Sequence, residues 1–250
     1  MSDPVPERSA ESAAPGTALR LAVVLLVAAS GAVETISFTA LDRVFAGVMT
    51  SNLALLGMAV GRAQGSAVTG AVLALGGFGL GAGVTAGLTR RASSPPAHWS
   101  GRVTACLAGE AALLGAGAGV WAALGGTPGE SARNALQFGA AAAMGIQAAA
   151  MVAAGRSAAP TTYLTGTLAT YIVKGVGAGR PSRWVPARLG AMSVGAGICM
   201  AVLRTAPAWA GVLPVALVAC ALLAARAASG PGSGPGRGPA SWSRLTRRSR

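Results

Sequence analysis

Charge is scarce in this sequence. Of its 250 residues only 11% are Asp, Glu, Lys or Arg, less than half the roughly 25% usual in soluble domains. Histidine occurs once, at His98, and aromatic residues make up 4%. A single His excludes a His-rich metal centre and a Ser–His–Asp constellation. No HExxH and no P-loop is present, and no GxG follows a predicted strand as a dinucleotide fingerprint would. An intramembrane protease would need a membrane Ser–His pair, paired Asp residues or a zinc motif, and none is found. The three cysteines, Cys106, Cys199 and Cys220, form no CxxC pair and fall inside hydrophobic runs, where they read as small apolar helix residues. No enzymatic activity, metal or cofactor is expected.

What is present is hydrophobicity, at 52% of residues. It is arranged in recurring runs too numerous for one soluble core. Six are long, at about Leu21–Leu41, Ala67–Thr89, Val103–Gly125, Ala132–Gly155, Trp184–Leu203 and Ala208–Ala225. Runs of about 20 residues with few charges read as bilayer-spanning helices. The net charge of +13 does not point to nucleic acid. The basic residues sit between hydrophobic runs and at the C-terminus, on no amphipathic face and without interleaved aromatics, as topological charge does. Residues 1–17 are polar and rich in Pro, Ser and Ala, and read as a disordered tail. Their acidic lead is unlike a signal peptide, so the first helix is expected to be retained. Residues 229–250 read as a flexible Gly/Pro/Ser linker with a basic end. The transmembrane domain is thus 18–228.

Two further apolar stretches, Val44–Val60 and Thr161–Val176, are shorter and more polar. If both re-enter on one side, Arg90, Arg91, Arg102, Arg156, Lys174, Arg180, Arg183 and Arg188 share the side of the N-terminus, against Arg43, Arg62, Arg133 and Arg204 opposite. If both cross, the basic residues divide evenly. The positive-inside rule favours six spans, two short re-entrant or broken helices, and cytoplasmic termini. The expected fold is an all-α polytopic membrane helical bundle.

The order of elements repeats in two halves, about 18–125 and 132–228. Thr50-Ser51-Asn52-Leu53 aligns with Thr165-Gly166-Thr167-Leu168 at an offset of 115, with Gly31 and Gly145 upstream at nearly the same offset. Three spans per half make the repeat inverted, an architecture of transporters in which broken helices meet near the midplane. The spacings Gly79…Gly83, Gly83…Gly87 and Gly115…Gly119 predict close helix packing.

Polar residues within the runs are the candidate site. Glu34 and Glu110 are the acids well inside hydrophobic segments, where a charge costs at least about 2.5–3.5 kcal/mol and normally faces the bundle interior or water. Glu34 either binds a cation, proton or polar solute, or pairs with a donor on another helix. Thr50, Ser51 and Asn52, with Thr165, Gly166 and Thr167, lie where helices are expected to break, and either coordinate a solute or cap the break. Gln147 reads as interhelical glue or site lining. Trp99, Trp184, Trp209 and Tyr163 mark membrane interfaces.

These residues carry a resemblance. Gly31-Ala32-Val33-Glu34, the stretch from Val44 through Met49-Thr50-Ser51-Asn52 to Leu56-Gly57, Met144-Gly145-Ile146-Gln147 and Thr165-Gly166-Thr167 resemble, in order and spacing, motifs of the YoaK family of bacterial membrane proteins. The likeness runs over about residues 20–225. The resemblance implies about six spans and names no settled activity. Glu34 stands where the family has Asp, Ser51 where it has Gly, and Ala148 where it has Asn after Gln147.

The expected function is a permease for a small polar solute or ion with a polar midplane site, in the bacterial inner membrane. The alternative is a non-transporting scaffold or sensor whose basic tail binds anionic lipid. A lipid-modifying enzyme ranks last, for want of catalytic groups. The bilayer is the expected partner, nucleic acid is not, and the sequence leaves oligomerisation open.

Overall fold

The computed structural model describes residues 16–90, 99–155, 161, 164–177, 179 and 182–228. The tails at 1–17 and 229–250 lie outside these residues apart from Gly16 and Thr17, as does Tyr163. Among the described residues there are eight α-helices and no strand: α1 (Thr17–Ala40), α2 (Met49–Gly61), α3 (Gly65–Thr89), α4 (Gly101–Ala123), α5 (Glu130–Ala154), α6 (Leu164–Thr170), α7 (Trp184–Thr205) and α8 (Val212–Ala228). A π-helical stretch, Tyr171–Val176, continues α6, and a 3-10 turn, Pro207–Trp209, leads toward α8. Six of these, all but α2 and α6, are long and apolar enough to cross a bilayer when the turn is counted with α8. Ser100 caps α4 by accepting from Val103 N at 3.4 Å. With 13 residues, α2 rises only about 20 Å, short of the roughly 30 Å hydrocarbon core.

Helix directions decide between crossing and re-entry. Ser37, near the end of α1, meets Gln137 near the start of α5, and Ser30, two turns back, meets Gln147 farther along α5. Helices α1 and α5 therefore run antiparallel. This requires an even number of crossings between them, which α3 and α4 supply, so α2 turns back. At α7, Arg20 lies over the Trp184 ring and Ala28 meets Gly195, so α1 and α7 are parallel and the α6 stretch also turns back. One end of the bundle carries Arg20, Arg90, Arg102, Arg183 and Arg226. The opposite end carries Arg43, Arg62, Arg133 and Arg204 together with Asp42 and Glu130.

The helix contacts survive exchange of the halves. Packing of α1 on α7 is matched by α5 on α3, α1 on α8 by α5 on α4, and α2 on α3 by α6 on α7. Individual contacts follow at a spacing of 114. A Cβ on Gly31 would collide with the Met192 carbonyl, and one on Gly145 with the Phe78 carbonyl; Gly195 sits against the Ala28 carbonyl and Gly81 against that of Ala142. These glycines let backbones touch. The expected GxxxG seams are corrected: Gly79, Gly83, Gly87, Gly115 and Gly119 face open space. Two residues along a helix is a rotation of about 200°, so the seam at Gly77 and Gly81 leaves Gly79 and Gly83 on the outer face.

The turn between α4 and α5 is pinned to the turn before α8. Trp121 Nε1 donates to Pro207 O at 2.7 Å. Gly126, at φ +79°, lies so close that a Cβ would come within 2.8 Å of the Pro207 carbonyl carbon. Trp121 is buried while Trp209 is 65% exposed.

Candidate functional site

Residues 41–48 leave α1, fold back into the bundle and start α2 at depth. Three side chains of two helices hold this arm by its backbone. The Glu34 carboxyl accepts from Ala46 N at 2.8 Å through one oxygen and from Gly47 N at 2.7 Å through the other. Glu34 lies six residues before the end of α1, about 9 Å in. Ser37 Oγ donates to Val44 O at 2.6 Å. This Oγ also lies 2.8 Å from Gln137 Oε1; with the single hydroxyl proton used on Val44 O, turning the Gln137 amide over makes its nitrogen the donor to Ser37 and gives that nitrogen a partner. From α2, Asn52 grips Phe45 twice, Oδ1 accepting from its N–H at 2.9 Å and Nδ2 donating to its carbonyl at 2.6 Å. The Phe45 ring stacks on Phe38 at 4.8 Å. Every hydrogen-bonding residue in this set is buried or half-buried, so an orphaned donor or acceptor would cost about 1–3 kcal/mol.

The other half has a corresponding anchor. Gln147 Nε2 donates to Thr161 Oγ1 at 2.9 Å and to Ser30 Oγ at 2.8 Å, and Ser30 donates to Leu26 O at 3.1 Å. Thr161 stands 114 residues after Gly47. Both arms are thus tied at matching places, one by a carboxyl on backbone N–H groups, the other by an amide on a hydroxyl.

The remaining expected site residues are not gathered here. Thr50 and Thr165 are exposed, and Ser51, Gly166 and Thr167 are half-buried. The Glu110 carboxyl is fully buried on α4, and neither oxygen has a hydrogen-bond partner among the described residues. Asp42 lies 3.9 Å from Arg133 Nε. Burial raises its pKa, the Arg133 guanidinium opposes the shift, and Glu130 adds to it.

Sequence reasoning does not place Ser30, Ser37, Gln137 or Thr161 in the candidate site, although Ser37 stands out as a polar neighbour of Glu34 on the same span. A signal existed for the first two, since Ser30, Glu34 and Ser37 fall at i, i+4 and i+7, one stripe of a helix. Gln137 and Thr161 have no such mark.

The expected polar cavity lined by Glu34, Asn52 and Thr165 is not what the fold builds at this place, because Glu34 and Asn52 spend their polar atoms on the re-entrant backbone. A cavity of about 270 Å³ does lie on the axis shared by α1, α4, α5 and α8. Val33, Ile36, Leu113, Trp121, Leu136 and Pro214 help line it, and its walls are almost wholly carbon. At the arginine-rich end the same four helices close in a buried cluster that includes Leu19, Leu26, Leu107, Met151, Val218 and Ala221.

Residues 22–224 match a family described as a protein of unknown function, DUF1275. The chain belongs to this family. The family match covers both arms and both anchors, so the resemblance to YoaK proteins holds at family level. No curated protein and no solved structure matches the chain. For this DUF1275 chain the anchors, the central cavity and the buried Glu110 are the features from which function must be argued.

Proposed function

We propose that this protein is a permease for small solutes, with the solute path along the axis shared by α1, α4, α5 and α8. The observation that supports this reading is a broken symmetry. The contacts between halves are equivalent, yet the axis holds a 270 Å³ cavity at one end and a buried cluster at the other. Inverted halves that exchange conformations open each end in turn. The carbon lining favours an apolar or weakly polar solute over the ion first expected at Glu34. Glu34 acts as the latch that positions an arm. By the positive-inside rule the arginine-rich end faces the cytoplasm of a bacterial inner membrane.

The test is flux into proteoliposomes across a panel of small solutes. Gly139 lines the cavity, and a Cβ there would meet only Leu113 at 4.0 Å, so Gly139→Leu fills the space without a clash at the backbone. Flux in wild type that is lost in this variant, with its melting temperature kept, supports the permease. Flux untouched by it removes the proposed path.

A second reading, a non-transporting scaffold or sensor, is favoured by one observation: the Glu34 carboxyl is closed off by two backbone donors. It expects no flux for any solute, and binding to anionic vesicles that is lost when residues 229–250 are removed.

A further inference from the structure

Helices α3 and α4 are consecutive in sequence, yet each packs mainly on α5. Between them opens a cleft of about 900 Å³, backed by Ile146. On α4 its lining runs from Arg102 to Leu113, about 16 Å of helix. That is close to half of the roughly 30 Å hydrocarbon core, so the cleft starts at the arginine-rich end and has the depth of one leaflet. The cavity at the opposite end of the bundle is lined from the other half of α4, and the two linings meet at Leu113.

The chemistry changes along this depth. The inner walls carry Val84 and Leu88 on α3 and Ala105 and Gly109 on α4, with the small polar groups Thr85 and Cys106 among them. The mouth carries Arg90 and Arg102, both exposed. Neither has an acidic partner among the described residues, where the ion pair found is Asp42–Arg133 at the far end. Arg102 also lies in the first turn of α4, the end of a helix where a cation is disfavoured and an anion is stabilised. An anion between the two guanidiniums would satisfy both and complement the helix end.

We propose that this cleft binds one anionic phospholipid, its phosphate between Arg90 and Arg102 and one acyl chain along Val84, Leu88 and Gly109. A free anion would use the mouth and leave the trench empty. A zwitterionic lipid brings an ammonium group toward two arginines. An anionic lipid fits both the charge at the mouth and the carbon below it, as basic pockets between membrane helices do. The site is independent of whether the protein transports.

The experiment titrates delipidated full-length protein in detergent with phosphatidylglycerol, phosphatidylcholine or inorganic phosphate, and reads bound lipid by native mass spectrometry. One tightly held phosphatidylglycerol per chain is expected, with phosphatidylcholine clearly weaker. Arg90→Gln with Arg102→Gln should weaken it roughly 30-fold, on about 1 kcal/mol per basic residue; the paired Lys variants should largely restore it. Gly109→Leu should weaken it with both arginines intact, since a side chain there enters open space in the cleft, and this variant decides the matter if the Gln pair does not fold. Arg183→Gln, at the same end and outside the cleft, should change nothing. Equal binding of the two lipids, or binding unaffected by the Gln pair, overturns the proposal. So does phosphate competing fully while Gly109→Leu has no effect, which would make the mouth a free-anion site.

Discussion

Gly31 and Gly145 stand 114 residues apart and meet the same feature of the other half, the carbonyls of Met192 and Phe78, themselves 114 apart. Neither position has room for a methyl group. Gly31→Ala and Gly145→Ala should each destabilise the protein by about 1–3 kcal/mol, the range for forced overpacking. Gly79→Ala points into open space and should be neutral or stabilising by up to about 1 kcal/mol, from helix propensity. Denaturant unfolding in detergent micelles measures all three. Equal effects at Gly31 and Gly79 would contradict the seam.

Glu34→Gln replaces one acceptor by a donor facing a backbone N–H, so either Ala46 N or Gly47 N loses its partner. The expected destabilisation is about 1–3 kcal/mol, and hydrogen exchange at residues 44–48 should accelerate while that of α7 is unchanged. Exchange that stays slow in the variant would show that Ser37 and Asn52 hold the arm without Glu34.

Ala63, in the turn between α2 and α3, adopts φ +52°, a conformation that costs a non-glycine residue about 1–2 kcal/mol. Ala63→Gly should therefore raise stability, by roughly 0.5–1 kcal/mol once the greater freedom of glycine in the unfolded chain is subtracted. A lower melting temperature for this variant would show that the turn is not strained.

Asp42 gives a pH dependence whose sign is fixed. Its pKa is raised in the fold by burial, against Arg133, so the folded protein holds this proton more firmly than the unfolded chain. Stability from this group is present below the unfolded value of about 3.9 and is lost as pH rises through the raised folded value. The melting-temperature difference between wild type and Asp42→Asn, followed upward from about pH 3.5, should move against wild type as pH rises. Removing the opposing charge with Arg133→Gln should deepen that loss. A difference that is flat with pH would mean that Asp42 is as hydrated in the fold as out of it.

Much of the fold was legible because hydrophobic length and basic placement are strong signals. The six spans lie close to their expected positions, and the re-entry of 44–60 and 161–176 follows from where the arginines fall. The repeat was legible through Gly31 and Gly145, whose shared task is the crossing contact. The seam itself was misread, since in a chain with 37 glycines spacing alone does not say which face of α3 meets α5. The site was half legible. Burial singled out Glu34 and Asn52, but their partner is the backbone of Phe45, Ala46 and Gly47, which any sequence supplies. Gln137 and Thr161 became visible only when the arms were in place.

The crossed packing of α1 on α7 and α5 on α3 means that each half lends its first helix to the other. The halves are units of sequence without being units of folding. Cut in the turn near Gly126, neither piece could cover its own glycine-lined surface, yet the two pieces expressed together should find each other. A single half meeting an upside-down copy of itself would bury the same surfaces.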